Sequence, residues 1–133
     1  MDKISVHVET EIGPTESEEK VRKAVENIFG DVPMQTKPLR RGSVLVVEAT
    51  GLGVLSNFQN LLRREHIRSA ARSVFYEGLE KIAVSFCLNK QVAFAGHISF
   101  SKEVGESPLG PIRVRIECDD PRQLVDWLAP RNL

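Results

Sequence analysis

A chain of 133 residues is long enough for one two-layer domain, and at 41% hydrophobic and 27% charged residues it has neither a disordered nor a fibrous composition. Lysine plus arginine number 18 and aspartate plus glutamate also 18, so net charge supplies no long-range pull on polyanions. No apolar run approaches the ~20 residues that span a bilayer and no apolar block follows Met1, so a cytoplasmic protein without a membrane segment is expected.

The first element is read from "KISVHVETEI", where Ile4, Val6 and Val8 alternate with Ser5, His7 and Glu9 as in a half-buried strand. In "GPTESEEKVRKAVENIFGD" the spacing predicts a helix: Thr15 caps it, Glu18 closes a capping box, and Gly30 supplies the left-handed stop. Val21, Ala24, Val25, Ile28 and Phe29 recur at helical spacing. A second strand covers residues 43 to 49, with room for a short edge partner before it, because Pro33 and Pro38 restrict any ladder there.

From Leu52 to Glu77 the pattern is helical but its phase breaks. Val54, Leu55, Phe58, Leu61 and Leu62 share one face, whereas Ile67, Ala70, Ala71 and Val74 point almost oppositely on a straight helix. Two helices, or one sharply bent helix, are expected, with the break near Glu65 and His66.

"KIAVSFCLNKQVAFAGHISFS" predicts a hairpin, with Ile82, Val84, Phe86 and Leu88 on one face of its first strand and Val92, Phe94, Gly96, Ile98 and Phe100 together on its second. These phenylalanines share their faces with Ile, Val and Leu, so Phe86, Phe94 and Phe100 are expected in a dry interior; a nucleic-acid platform would mix rings with Lys, Arg, Asn and Gln on an open face. A Gly- and Pro-rich loop, "KEVGESPLGPI", leads to a strand in which Ile112, Val114 and Ile116 face inward. The last helix starts at Asp120, has Pro121 at its first position, stops before Pro130 and presents Leu124, Trp127 and Leu128.

The expected order is β-α-β-α-α-β-β-β-α, an α+β fold with a mainly antiparallel sheet and its helices on one face, in one domain spanning residues 1–133. Ala83, Ala93 and Ala95 on the opposite face favour close approach of something, and a homodimer there or along an edge strand is the expected partner arrangement.

Between Lys37 and Arg72 seven basic residues stand against two acids, Glu48 and Glu65, while the remainder carries 11 basic and 16 acidic residues. Arg40, Arg41, Arg63, Arg64, Arg68 and Arg72 are therefore candidate phosphate contacts, although the same residues suit the solvated faces of amphipathic helices. "ATGLGVLS" places Gly51 and Gly53 between a strand and a helix as a dinucleotide loop does, but Ser56 stands at the third glycine position; a structural turn is the expected reading, and a small-ligand-binding protein or enzyme using this turn or the "ESPLGPI" loop the alternative. His97 with Cys87 and Cys118 is a weak candidate zinc set, and both cysteines read as reduced packing residues. No nucleophile, acid-base pair or cofactor loop is nominated, so neither catalytic residue, cofactor nor metal is expected.

Taken together, "PTESEEKVRKAVENIF", "LLRREHIRSAARSVF", "LNKQVAFAGHISF", "ESPLGPI" and "DWLAP" resemble the archaeal uncharacterised protein family numbered 0201 over nearly the whole chain. The resemblance implies an α+β fold similar to the large-subunit ribosomal protein that contacts 5S ribosomal RNA, and a tendency to dimerise. It implies no established activity. The first expectation is thus a non-catalytic binding or interaction domain, and the second an RNA- or ribosome-associated protein that contacts phosphates through the arginines.

Overall fold

The computed structural model describes residues 3–102 and 110–131. Alternation of β-branched residues with polar ones produces the strand β1 (Ser5–Ile12), the apolar run from Val44 to Val47 forms the strand β3 (Ser43–Thr50), and the short edge strand β2 (Gln35–Pro38) pairs with β3. Strands β4 (Ala83–Asn89), β5 (Phe100–Ser101) and β6 (Pro111–Glu117) complete a six-stranded sheet of order β2-β3-β1-β6-β4-β5, and each of these neighbours pairs antiparallel. Helices α1 (Glu18–Phe29), α2 (Ser56–Arg64), α3 (Arg68–Glu77), α4 (Lys90–Phe94) and α5 (Pro121–Leu128) accompany it, and the α+β expectation holds.

Register explains why one face is covered. Val8 sits opposite both Val47 and Val114, and Phe86 opposite Val114, so the inward rows of four strands form one apolar floor. Val25, Phe58, Phe75, Ala93 and Leu124 from the five helices join that floor in a single core cluster. Val44 and Ala83, although buried, stand outside the cluster because their side chains leave from the other face.

Several local expectations are met in detail. Asp120 caps α5 by accepting from the Gln123 amide at 3.1 Å, with Pro121 in the first turn. Gly30 ends α1 at φ +79°, its amide donating to Glu26 O at 2.7 Å. The phase break falls at His66, whose φ of +57° puts a non-glycine residue in the left-handed region. There Ile67 N–H donates to Leu62 O and His66 N–H to Arg63 O, the paired bonds of a Schellman stop, so α2 and α3 turn their apolar stripes onto the same sheet.

Two expectations are corrected. Ser17, not Thr15, caps α1, its hydroxyl accepting from Lys20 N at 3.3 Å; Glu16 instead turns back to accept from Gly13 N at 2.8 Å. The predicted hairpin is half helix. Asn89 accepts from Val92 N at 2.9 Å and starts α4, so "KQVAF" coils, and only Phe100 and Ser101 return to pair with β4. Ala93 consequently packs into the core, whereas Phe94 emerges 44% exposed. Ile82 precedes β4 and is also exposed.

The remaining phenylalanines do form the dry interior. Phe58 stacks on Phe86 at 5.5 Å between centroids, Phe75 lies 4.9 Å from Phe86 and meets Phe100 edge-on at 5.7 Å, and Phe29 closes on Phe58 at 5.8 Å. Five of the six phenylalanine rings are thereby spent on packing.

Candidate nucleic-acid interface

The six arginines nominated from sequence separate into three environments. Arg40 and Arg41 sit exposed in the turn between β2 and β3, closed by Leu39 N–H donating to Gly42 O, and form no ion pair among the described residues. Arg63 and Arg64 lie exposed in the last turn of α2, Arg63 donating to the neutral Asn60 side chain at 3.0 Å. Arg68 is half-buried at the start of α3. Arg72 turns inward: only 15% of its side chain is exposed, it pairs with Asp126 at 2.7 Å, and it donates to Ala129 O and to the Tyr76 hydroxyl. That guanidinium fastens α5 to α3 and has little left for a phosphate.

The helix-free sheet face is a lattice of cross-strand charges. His7 on β1 stands 3.8 Å from Glu48 on β3 and 3.5 Å from Glu117 on β6. Arg115 is bonded to Glu80 and Glu117, and Ser85 donates to Glu80 at 2.9 Å. Between them lies a shallow depression of about 460 Å³ bordered by His7, Glu9, Ser85, Cys87, Arg113 and Arg115. Glu9, Glu11, Glu48, Glu80 and Glu117 outnumber Lys37, Arg113 and Arg115 here, so the face repels rather than gathers phosphates. Ala93 and Ala95, expected on it, belong instead to α4 and its C-terminal cap.

A different surface joins a ring to cations. Phe94 lies beside α1, and Lys20 Nζ is 5.8 Å from its ring centroid. The ring's mounting is fixed: Asn27 of α1 donates to the carbonyls of Ala93 and Phe94 at 3.0 and 3.1 Å, and Glu65 receives Ile98 N–H at 3.1 Å and holds His97 at 3.0 Å. Beneath it, Lys90 is only 5% exposed, donates to Glu11 O at 2.6 Å and pairs with both oxygens of Glu16 at 3.2 Å. Sequence reasoning missed this surface because Lys20 and Lys23 look like ordinary solvated positions of α1. The signal that could have found it is Asn89 as a helix cap, with Gly96 seven residues later as a stop.

The alternative sites resolve differently. Gly51 takes φ +98° and donates its amide to Ile4 O at 2.9 Å, so this turn uses on the sheet an amide that a phosphate loop would present. Residues 103–109, including most of "ESPLGPI", lie outside the described residues. Among the described residues no three of His, Cys, Asp and Glu gather as a metal would require, and no helix is long and apolar enough to cross a membrane. Burial pushes the Cys118 thiol above its ordinary range, with Asp119 and Asp120 adding to the rise against a backbone hydrogen bond from Asp120.

Comparison with known proteins bears on this surface. A family model described as RNA binding matches residues 5–118. The chain is 41% identical to the UPF0201 protein of Pyrobaculum aerophilum over 92% of its own length and 86% of that protein's, and equally identical to the UPF0201 protein of Sulfurisphaera tokodaii over 94% and 86%. It superposes on the crystal structure of a UPF0201 protein from Methanococcus jannaschii with a TM-score of 0.84 at 29% identity, covering 97% of this chain and 95% of that one. Identities of about 40% along almost the whole chain and a family model spanning residues 5–118 lead to one assignment: this protein belongs to the archaeal UPF0201 family and matches the family described as RNA binding.

Proposed function

We propose that this chain acts as a single, non-catalytic, cytoplasmic RNA-binding domain that holds phosphates through arginines rather than through its sheet face. The observation that carries the reading is the state of Arg40, Arg41, Arg63 and Arg64: all four are exposed and none is neutralised by a carboxylate among the described residues. Arg72 is left out because Asp126 already holds it, and Arg68 because it is half-buried. The family description supports the ligand class. The fold similarity to the ribosomal protein that contacts 5S RNA, implied by the family resemblance alone, is an analogy and adds no residue.

Salt dependence tests this directly. Four phosphate contacts to a single strand give a slope of log affinity against log salt of about −3, and each arginine reversed to glutamate should make it shallower by about 0.7. Fluorescence anisotropy with labelled single-stranded RNA, on the wild type and the Arg40→Glu/Arg64→Glu variant, reads both quantities. Absence of binding at low salt, or an unchanged slope in the variant, removes the proposal.

Self-association is the second reading, favoured by Val46, a half-buried apolar side chain on the helix-free face, and by the edge strand β2. Sedimentation velocity on the wild type and on Val46→Lys, which places a charge on that face, tests it.

A further inference from the structure

A phenylalanine ring left in water forgoes burial that every other phenylalanine in this chain obtains in whole or in part. Here the backbone that carries the exposed ring is fixed, since the Asn27 amide clamps the carbonyls of Ala93 and Phe94, and the ring stands at a groove of about 420 Å³ whose floor is Val21 and Ala24. Lys20 stands over the ring and Gln91 offers an amide at the rim. The adjoining depression on the outer side of α1 adds Lys23, against Glu19 and Glu26; Arg22, also on its border, is already held by Glu18 at 3.0 Å. A flat π surface, an apolar floor, one amide able to both donate and accept, and ammonium groups at the border match the parts of a nucleotide: the base stacks, its edge meets the amide, and the flanking phosphates meet the lysines.

We propose that the groove between α1 and α4 is a subsite for one unpaired base of single-stranded RNA, stacked on Phe94 and flanked by phosphates held by Lys20 and Lys23; it rests on the RNA-binding reading above. The subsite discriminates single strands from duplexes, whose bases are already stacked and cannot enter. Because acids dilute the local charge, stacking rather than ion pairing supplies most of the affinity gained here.

The test uses the full-length protein and a short single-stranded RNA carrying 2-aminopurine, compared with a duplex of the same sequence. Phe94→Ala removes an exposed ring and leaves the core intact, which circular dichroism verifies. Single-strand affinity should fall about tenfold with the salt slope unchanged, 2-aminopurine quenching should disappear, and Phe94→Trp should restore both. Duplex binding should not move. Lys20→Ala should instead make the slope shallower by about 0.7. Wild-type affinity and quenching in Phe94→Ala would overturn the subsite while leaving the arginine reading intact if Arg40→Glu/Arg64→Glu still weakens binding. Full affinity in Phe94→Leu would also overturn it, showing an apolar plug and no stacking. Failure of the wild type to bind any RNA removes both proposals together.

Discussion

Replacing Lys90 by methionine keeps the aliphatic stem and deletes the ammonium that joins the β4–α4 corner to the β1–α1 corner. Lost with it are the 2.6 Å bond to Glu11 O and the 3.2 Å contacts to both Glu16 oxygens. The Glu16 carboxylate, with 10% of its side chain exposed, keeps the Gly13 amide but no longer has this counter-charge. Breaking a buried pair from one side costs about 3–5 kcal/mol, and the retained amide bond puts this case near the lower end. For a chain of this size that corresponds to a fall in Tm of about 10 °C. Adding Glu16→Gln removes the stranded charge while keeping an acceptor for Gly13, so the double variant should lose only about 1 kcal/mol, mainly from the unpaired Glu11 carbonyl. Urea denaturation of the wild type, both single variants and the double variant reads the changes through the midpoint at constant m. A Lys90→Met penalty below about 1 kcal/mol, or single-variant penalties that simply add in the double, would refute a buried, mutually dependent pair.

Other substitutions address the core, the stops and the thiol. Phe58→Ala empties the middle of the ring cluster, where Phe29, Phe75 and Phe86 all lie within 6.2 Å between centroids, and should cost about 3–5 kcal/mol in the same denaturation assay. At Gly78 a Cβ would lie 1.8 Å from Ser85 O, so Gly78→Ala must force α3 away from β4; loss of the cooperative thermal transition or a large fall in Tm is expected. His66→Val should destabilise by about 1–2 kcal/mol because a β-branched residue tolerates the left-handed turn poorly, whereas His66→Gly should equal or exceed the wild type. The Cys118 thiol is raised by burial, so the folded state resists forming the thiolate: its contribution is intact below the ordinary thiol range and is lost as pH climbs from that range through the higher folded-state value. Stability measured from neutral to alkaline pH should therefore decline less steeply in Cys118→Ala than in the wild type.

Much of the architecture is written in local periodicity. Alternation in "ISVHVE" and "IRVRIE", the helical spacing of Val21 to Phe29, and the phase reversal between Leu62 and Ile67 each state which side of an element must be dry, and the structure obeys them. "KQVAF" failed that test because five residues are too few to show a period, and an isolated single turn is not stable by propensity alone. Its helix is sustained by the Asn89 cap and by the Asn27 amide reaching across 66 residues of chain to Ala93 O. The candidate site inherits the same gap: Phe94 could not be told from Phe86 while both were assigned to strands.

By itself, then, the order of residues determined the α+β class, the inward rows of the sheet and the helix break at His66, since these follow from which neighbours along the chain share a face. Only the tertiary structure decided that Phe94 faces water while five other rings pack together, that Arg72 is fastened to Asp126 while Arg40, Arg41 and Arg64 have no ion pair among the described residues, and that Lys90 lies buried on Glu16. The physical reason is that solvation and charge pairing belong to whatever segment arrives alongside, and for these residues that segment lies as far as 79 positions away.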